Sequence, residues 1–407
     1  MNILQICNKV PFPPKDGGCM AMNNLTQGLL NEGHKVKILA INTKKHFTEI
    51  EKLPADYRSS TNIEAVFIDT TVKPVAAFFN LFSSKSYNII RFYSKTFERK
   101  LIEVLKSERF DIIQLESLYV NMYVDVIRNY SKAKIVLRAH NIEYQLWELA
   151  AQQSANPLKK AYLKLLAIRL KKYELNSINS IDAIAAITAN DETCFRKAGF
   201  SKAIQTFTFG IDTPNISGDI QQQEDYPSVF HIGAMDWQPN IEGLKWFLSQ
   251  VWDKVHAKHP DLKLYMAGRN MPISEWEQLN KPNVIIVGEV ENAQKFMQSK
   301  GIMIVPLLSG GGMRVKIIEG LSLGKTIITT KIGIQGIDCE NNKNCIIASG
   351  ADEFGADEFA EAVNKCVSDR EFYKRIGKNA KILASEQYNN TDICRRLTKF
   401  YSFICNP

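Results

Sequence analysis

The sequence has 407 residues, of which 45% are hydrophobic, 10% aromatic and 23% charged. That composition excludes an intrinsically disordered chain, and the length exceeds one ordinary domain and suits two of about 200 residues. A formal net charge of +8 is compatible with nucleic acid, anionic lipid or phosphorylated small molecules, and most simply with a solvated basic surface.

Asn2–Ile6 reads as a first strand directly after Met1, with no basic leader or cleavage site, so no signal peptide is expected. A proline-rich loop runs from Val10 to Gly18. A helix is predicted over Met20–Asn31, stopped by Gly33, and Lys35–Ile41 is the next strand. Asp111–Leu115, Ala133–Arg138 and Ala183–Ala186 are later strands of the same kind. This alternation predicts a parallel sheet with crossover helices. Phe209–Gly218 and Gln221–Asp225 are turn-rich and polar and read as a linker.

The pattern then restarts. Ser228–Ile232 is a strand, Gly233–Asn240 a loop and Ile241–His256 a helix. The strands Lys263–Ala267 and Val284–Val287 end at Gly268 and Gly288, and Ile302–Val305 follows. A glycine loop, Ser309–Gly312, leads into a helix over Met313–Leu323 and a strand over Thr326–Thr329; from Asp357 the chain is mostly helical. The expected fold class is α/β, two Rossmann-like domains facing across a cleft, spanning 1–215 and 226–385. Ligands of such sheets bind at the carboxyl ends of the strands.

The eight cysteines form no C-x-x-C pair and no zinc-finger spacing with histidine, which suits a reduced, cytoplasmic protein. No apolar run reaches the roughly 18 residues needed to span a bilayer.

Ile302–Thr329 carries the most chemistry: a buried strand, three glycines (Gly310, Gly311, Gly312), then Met313, Arg314, Lys316 and Glu319. Glycines let a backbone approach a ligand, and a helix N-terminus offers free N–H groups to phosphate. Arg314 and Lys316 add cations for a diphosphate, and Glu319, one turn beyond Lys316, offers a carboxylate to ribose hydroxyls. A flexible loop with a surface Lys–Glu pair is the plainer alternative. Gly324-Lys325-Thr326 is not a P-loop, because its lysine opens a strand, and neither half has a strand-anchored G-x-G-x-x-G.

This segment resembles the donor-site signature of the retaining glycosyltransferase family 4, which has the two-Rossmann GT-B fold. The family has two glutamates with seven residues between them. The second, which holds the nucleotide ribose, matches Glu319; the first, which contacts the donor sugar, falls on Gly311. The three glycines followed by Met-Arg-x-Lys resemble a branch linked to bacterial polysaccharide assembly. By the same resemblance, Gly17 and Gly18 match the loop that closes over acceptor and donor phosphate. Gly210-Ile-Asp212 matches the turn ending the first domain. Gly233–Asn240, ending in Asn240, matches the loop opening the second; the Arg and Lys usual there are missing, so Arg314 and Lys316 must supply that charge. Ser385–Ile404 resembles a final helix returning to the first domain, which makes 386–407 a C-terminal segment of its own. Val287, Gly288 and Val290 would lie near the base.

Val136–Tyr144 presents His140, Asn141 and Glu143 at a strand end. The family places a sugar-contacting histidine there, which makes His140 the catalytic candidate over a satisfied core histidine. Glu116 and Glu143 are weaker candidates for acceptor hydroxyls. No D-x-D triplet occurs, so no metal is expected and arginine, lysine and helix N-termini must stabilise the leaving diphosphate. Asn156–Tyr173 is a basic amphipathic helix and Val75–Phe82 an aromatic patch; either packs on the sheet or meets anionic lipid.

The resulting expectation is a metal-independent, hexosyltransferase-type enzyme. It would use a UDP- or GDP-sugar donor and a glycan or lipid-linked glycan acceptor, with no cofactor and no nucleic acid. It would be cytoplasmic or peripheral on the cytoplasmic face of the inner membrane. A nucleotide-sugar 2-epimerase and a non-catalytic nucleotide-sugar-binding subunit are the alternatives.

Overall fold

A computed structural model describes residues 1–212, 224–350 and 353–406; most of the expected linker, from 213 to 223, lies outside them. The chain forms two compact units, Met1–Gly210 with Asn390–Pro407, and Ile211–Asn389.

The first unit holds strands β1 (Asn2–Cys7), β2 (Lys35–Thr43), β3 (Glu64–Ile68), β4 (Ile112–Glu116), β5 (Lys134–Ala139), β6 (Ala183–Ala186) and β7 (Ala203–Thr206), in the order β3-β2-β1-β4-β5-β6-β7. Every pairing is parallel. Apolar side chains line both faces, as a parallel sheet covered by helices on two sides requires. The second unit holds β8 (Asp225–Ile232), β9 (Leu264–Ala267), β10 (Val284–Gly288), β11 (Lys300–Val305), β12 (Ile327–Thr330) and β13 (Ile346–Ala348), all parallel, in the order β10-β9-β8-β11-β12-β13. Each sheet is a doubly wound Rossmann-like sheet. The strand order reverses between β1 and β4 in one and between β8 and β11 in the other, where such sheets bind ligands.

The final helix, Asn390–Cys405, packs on the first helix, Gly17–Asn31, within the first unit. Asn390 Nδ2 donates to Asn24 O at 2.8 Å, and Asn24 Nδ2 donates to Gly210 O at 3.0 Å. At the crossing a Cβ on Gly28 would lie 2.2 Å from Cys394 Sγ. Gly28→Ala is therefore expected to cost about 1–3 kcal/mol through overpacking, read as a lower melting temperature; an unchanged melt would show that the helices separate freely.

Several boundaries differ from the sequence expectation, three of them at helices that bear candidate site residues. The first helix begins at Gly17, because Asp16 Oδ1 accepts from Cys19 N at 2.8 Å and caps it. The helix expected over Ile241–His256 begins at Gln238, with Pro239 in its first turn, and is interrupted by a π-turn at Phe247–Val251. The helix expected over Met313–Leu323 is Val315–Ser322. Gly310 and Gly312 adopt φ of 101° and 80°, and Arg314 is an extended cap residue, so Met313 and Arg314 belong to the loop.

Candidate active site

In the second unit the β8/β11 switch point gathers a cationic cluster. Lys316 reaches from the first turn of its helix to the end of β8. Its Nζ donates to Asn240 Oδ1 at 2.9 Å and Ile232 O at 3.2 Å, and lies 3.5 Å from His231 Nε2. His231 is 0% exposed, and its Nδ1 lies 3.0 Å from Ile304 O. Since that carbonyl can only accept, Nδ1 carries the proton and Nε2 turns a lone pair to the lysine. Burial, then the Lys316 charge, hold His231 well below its ordinary pKa and keep it neutral. Burial, then the charge of Arg314, push the Lys316 ammonium down to about 7.

Arg314 is folded over its own loop. NH1 donates to Gly311 O and, at 2.7 Å, to Gly312 O, and the guanidinium sits 5.0 Å above the Trp237 ring. Its Nε and NH2 are buried without a protein partner, and burial lowers its pKa to about 10. A Cβ on Gly310 would lie 3.0 Å from Trp237 and 3.1 Å from Arg314 NH2, so this stack needs glycine. Ser309 Oγ donates to Glu242 Oε2 at 2.8 Å and anchors the loop. Glu319 is buried, its carboxyl is raised to about 7 by that burial, and its side-chain oxygens have no protein hydrogen bond among the described residues.

Gly310, Gly311, Gly312, Met313, Arg314, Lys316, Glu319 and Asn240 thus share one corner of the second unit. Val287, Gly288 and Val290 lie at the end of β10, two strands from β8. Gly233, Gly268 and Gly288 form a row across the strand ends. Gly268 N donates to Gly288 O at 2.7 Å, and a Cβ on Gly268 would lie 1.7 Å from Gly233 O.

In the first unit, His140 and Glu116 come together at the ends of β5 and β4, with His140 Nε2 2.6 Å from Glu116 Oε2. Glu116, expected to meet acceptor hydroxyls, is 1% exposed and has both oxygens engaged within the protein. Glu143, the other acceptor candidate, is buried as well. Its Oε2 accepts from Tyr119 OH at 2.8 Å, and burial raises its pKa. Its backbone N–H and that of Tyr144 donate to Glu174, at 3.1 and 3.0 Å. Glu174 therefore caps the helix Glu143–Gln153 from outside it; burial raises its carboxyl to about 8.

Gly17 and Gly18 open the first helix beside an ion pair. Lys9 Nζ donates to both oxygens of Asp16, at 2.7 and 2.8 Å, and a Cβ on Gly18 would lie 2.9 Å from that ammonium. Asp16, Cys19 and His46 bring metal-ligating atoms within 4.8 Å of one another. Lys9 already satisfies the Asp16 carboxylate there.

His231, Trp237, Gln114, Tyr401 and Glu174 are site or support residues without an individual role in the sequence reading. His231 had one signal, as a polar residue within the apolar run Ser228–Ile232. Glu174 had none, lying among lysines on a helix.

Residues 226–369 match the protein family described as Glycosyl transferases group 1. A Klebsiella pneumoniae protein described as an uncharacterized 44.6 kDa protein in the cps region is 23% identical, over 98% of this chain and 99% of that one. Among solved structures, HepE of Anabaena in complex with UDP and glucose is similar, with a TM-score of 0.66, 12% identity and coverage of 98% of this chain and 99% of that one. So is sucrose-phosphate synthase from Thermosynechococcus elongatus, with a TM-score of 0.69, 14% identity and 99% coverage of both chains. The Klebsiella relative and the two solved structures match over both Rossmann-like domains, and the family match lies within the second unit.

Proposed function

We propose, on the premise that this chain belongs to the group 1 glycosyltransferases with the GT-B fold, that it moves a sugar from a nucleotide diphosphate sugar to a hydroxyl of a glycan or glycolipid, with retention of configuration. The observation that carries this reading is the Lys316–Arg314 pair at the β8/β11 switch point. One ammonium is held by Asn240 and Ile232 O, and a guanidinium beside it has two buried, unbonded nitrogens. Such groups suit a diphosphate, whose oxygens can accept from both. Glu319 accepts from the ribose hydroxyls, and Val287–Val290 lie toward the base.

In the transfer step the bond from the anomeric carbon to the diphosphate oxygen breaks, and its electron pair leaves with the diphosphate. Lys316, Arg314 and the N–H groups of the glycine loop stabilise that charge. The acceptor oxygen bonds to the anomeric carbon on the same face, and its proton passes to a diphosphate oxygen. His140 of the first unit serves a hydroxyl of the sugar. Because protein cations meet the diphosphate, transfer is expected to persist in EDTA; activity lost to EDTA and restored by magnesium would overturn that part. Retention is tested by the anomeric configuration of the product in NMR, and an inverted linkage would refute it.

UDP in HepE and the cps region of the Klebsiella relative support a UDP- or GDP-sugar donor and a role in cell-surface polysaccharide synthesis. Gly311 favours one competing reading, donor binding without transfer. Persistent donor binding with neither transfer nor hydrolysis across an acceptor panel would establish it.

The acceptor reading extends to a lipid surface. Phe78, Phe79 and Phe82 are each more than half exposed around the short helix Pro74–Asn80, an apolar patch of the kind that marks an interaction site. Arg169, on the helix Pro157–Ser177, donates to Asn80 O at 2.8 Å and Leu81 O at 2.9 Å. It thereby ties the patch to a helix bearing Lys159, Lys160 and Lys164. That helix buries Leu166, Ala167 and Leu170 but leaves Leu158 exposed, so it packs on its neighbours only in part. No helix among the described residues is long and apolar enough to cross a membrane. The wild type is expected to float with anionic liposomes at low salt, and Phe78→Ser with Phe79→Ser to stay behind; equal flotation of both would refute the contact.

A further inference from the structure

A buried chain of polar side chains runs through the first unit and ends at His140. Tyr401, on the final helix, donates its O–H to Gln114 Oε1. Gln114 Nε2 donates to Glu116 Oε1, and His140 Nε2 faces Glu116 Oε2 at 2.6 Å. Tyr401 and Gln114 are 0% exposed and Glu116 is 1% exposed, within an otherwise apolar sheet. Polar groups at such depth are costly unless every partner is in place, and these are linked end to end.

The direction of the chain follows from donor and acceptor chemistry. The carbonyl of Gln114 is taken by the tyrosine, so its amide N–H turns to Glu116. The guanidinium of Arg138, 4% exposed, donates to Phe207 O and Ala186 O and interacts electrostatically with the Glu116 carboxylate. An ionised carboxylate only accepts, so the histidine nitrogen facing it must donate. His140 Nδ1 has no protein hydrogen bond among the described residues, and the ring is partly exposed.

We propose that Glu116 is a positioning residue. It holds His140 with Nε2–H turned inward and Nδ1 presented as a hydrogen-bond acceptor to a sugar hydroxyl, while Gln114 and Tyr401 hold Glu116 for that task. The inference rests on the reading of His140 as a sugar contact.

Ring nitrogen-15 NMR of histidine-labelled protein tests it, at about pH 9 where an ordinary imidazole is neutral. Wild type is expected to show His140 as one Nε2–H tautomer. In Glu116→Gln the Nδ1–H form should appear, because an amide can accept or donate. The turnover rate should fall about ten- to a hundredfold, the worth of one charge-assisted hydrogen bond, with donor affinity unchanged. Glu116→Asp should recover part of the rate, and Tyr401→Phe should show a smaller loss. An Nδ1–H tautomer in wild type overturns the proposal even if Glu116→Gln fails to fold. So does a Glu116→Gln enzyme with full rate when His140→Gln is inactive. A fully active His140→Gln instead refutes the sugar-contact reading and leaves the tautomer result to decide the positioning.

Discussion

Glu319→Ala is expected to lower donor affinity by about 10²–10⁴-fold and to take most turnover with it. Glu319 is buried and its carboxylate has no hydrogen bond to protein among the described residues, so truncation leaves no partner unsatisfied and the domain should fold normally. On the proposed reading, what is lost is a pair of charge-assisted hydrogen bonds to the ribose, each worth about 1.5–3 kcal/mol. Glu319→Gln keeps the shape and loses the charge, so it should fall between the two. Calorimetric titration with the donor checks the series. Wild-type affinity in Glu319→Ala would remove this residue from the nucleotide site.

Donor affinity is expected to follow a narrow bell centred near pH 7. The sign of each limb follows from its group. Lys316, pushed down to about 7 by burial and then by Arg314, carries its charge below that pH and loses it above. Diphosphate binding favours the ammonium, so affinity falls as pH rises, by at most about tenfold per unit. Glu319, raised to about 7 by burial, is ionised above that pH and neutral below. Ribose hydroxyls donate best to the ionised form, so affinity falls toward acid. Lys316→Met should remove the alkaline limb together with about a hundredfold of affinity, and Glu319→Gln should remove the acid limb.

The same groups shape stability. Between about 7 and the ordinary lysine value of 10.5 the unfolded chain binds the extra proton at Lys316, so stability rises with pH across that window. Between 4.5 and about 7 the folded chain binds it at Glu319, so stability falls. Lys316→Met should therefore melt higher than wild type at neutral pH while binding donor poorly. A flat affinity profile, or a lower melt, would contradict the buried-charge account.

Much of this arrangement is readable in the chain, and the rest fails for identifiable reasons. Apolar runs place strands such as Ala183–Ala186 without error, because a parallel strand covered on both faces has no polar alternation to confuse its ends. The helix starts at Val315 and not at Met313, because nothing in the letters says that Gly310 and Gly312 turn left-handed. Arg314, Lys316 and Glu319 stand out because they crowd one short segment. Glu116 and Glu143 look like surface carboxylates, and their burial depends on partners elsewhere: His140 is 24 residues from Glu116, and Tyr401 is 287 from Gln114. Asn240 and Lys316, 76 residues apart, meet only because β8 and β11 are neighbours across the switch point. Lys316 reaches back to Ile232 O, where the 233–240 loop begins, which is compatible with the proposal that it supplies the charge expected of that loop.

The central claim, a sugar nucleotide held at the β8/β11 switch point, is tested most directly by thermal melting against UDP-, GDP-, ADP- and dTDP-sugars. A ligand that binds only the folded state raises its stability by mass action. One nucleotide class should raise the wild-type melting temperature in a concentration-dependent way and leave Lys316→Met almost unmoved. No shift with any of them, or an equal shift in Lys316→Met, would contradict the account.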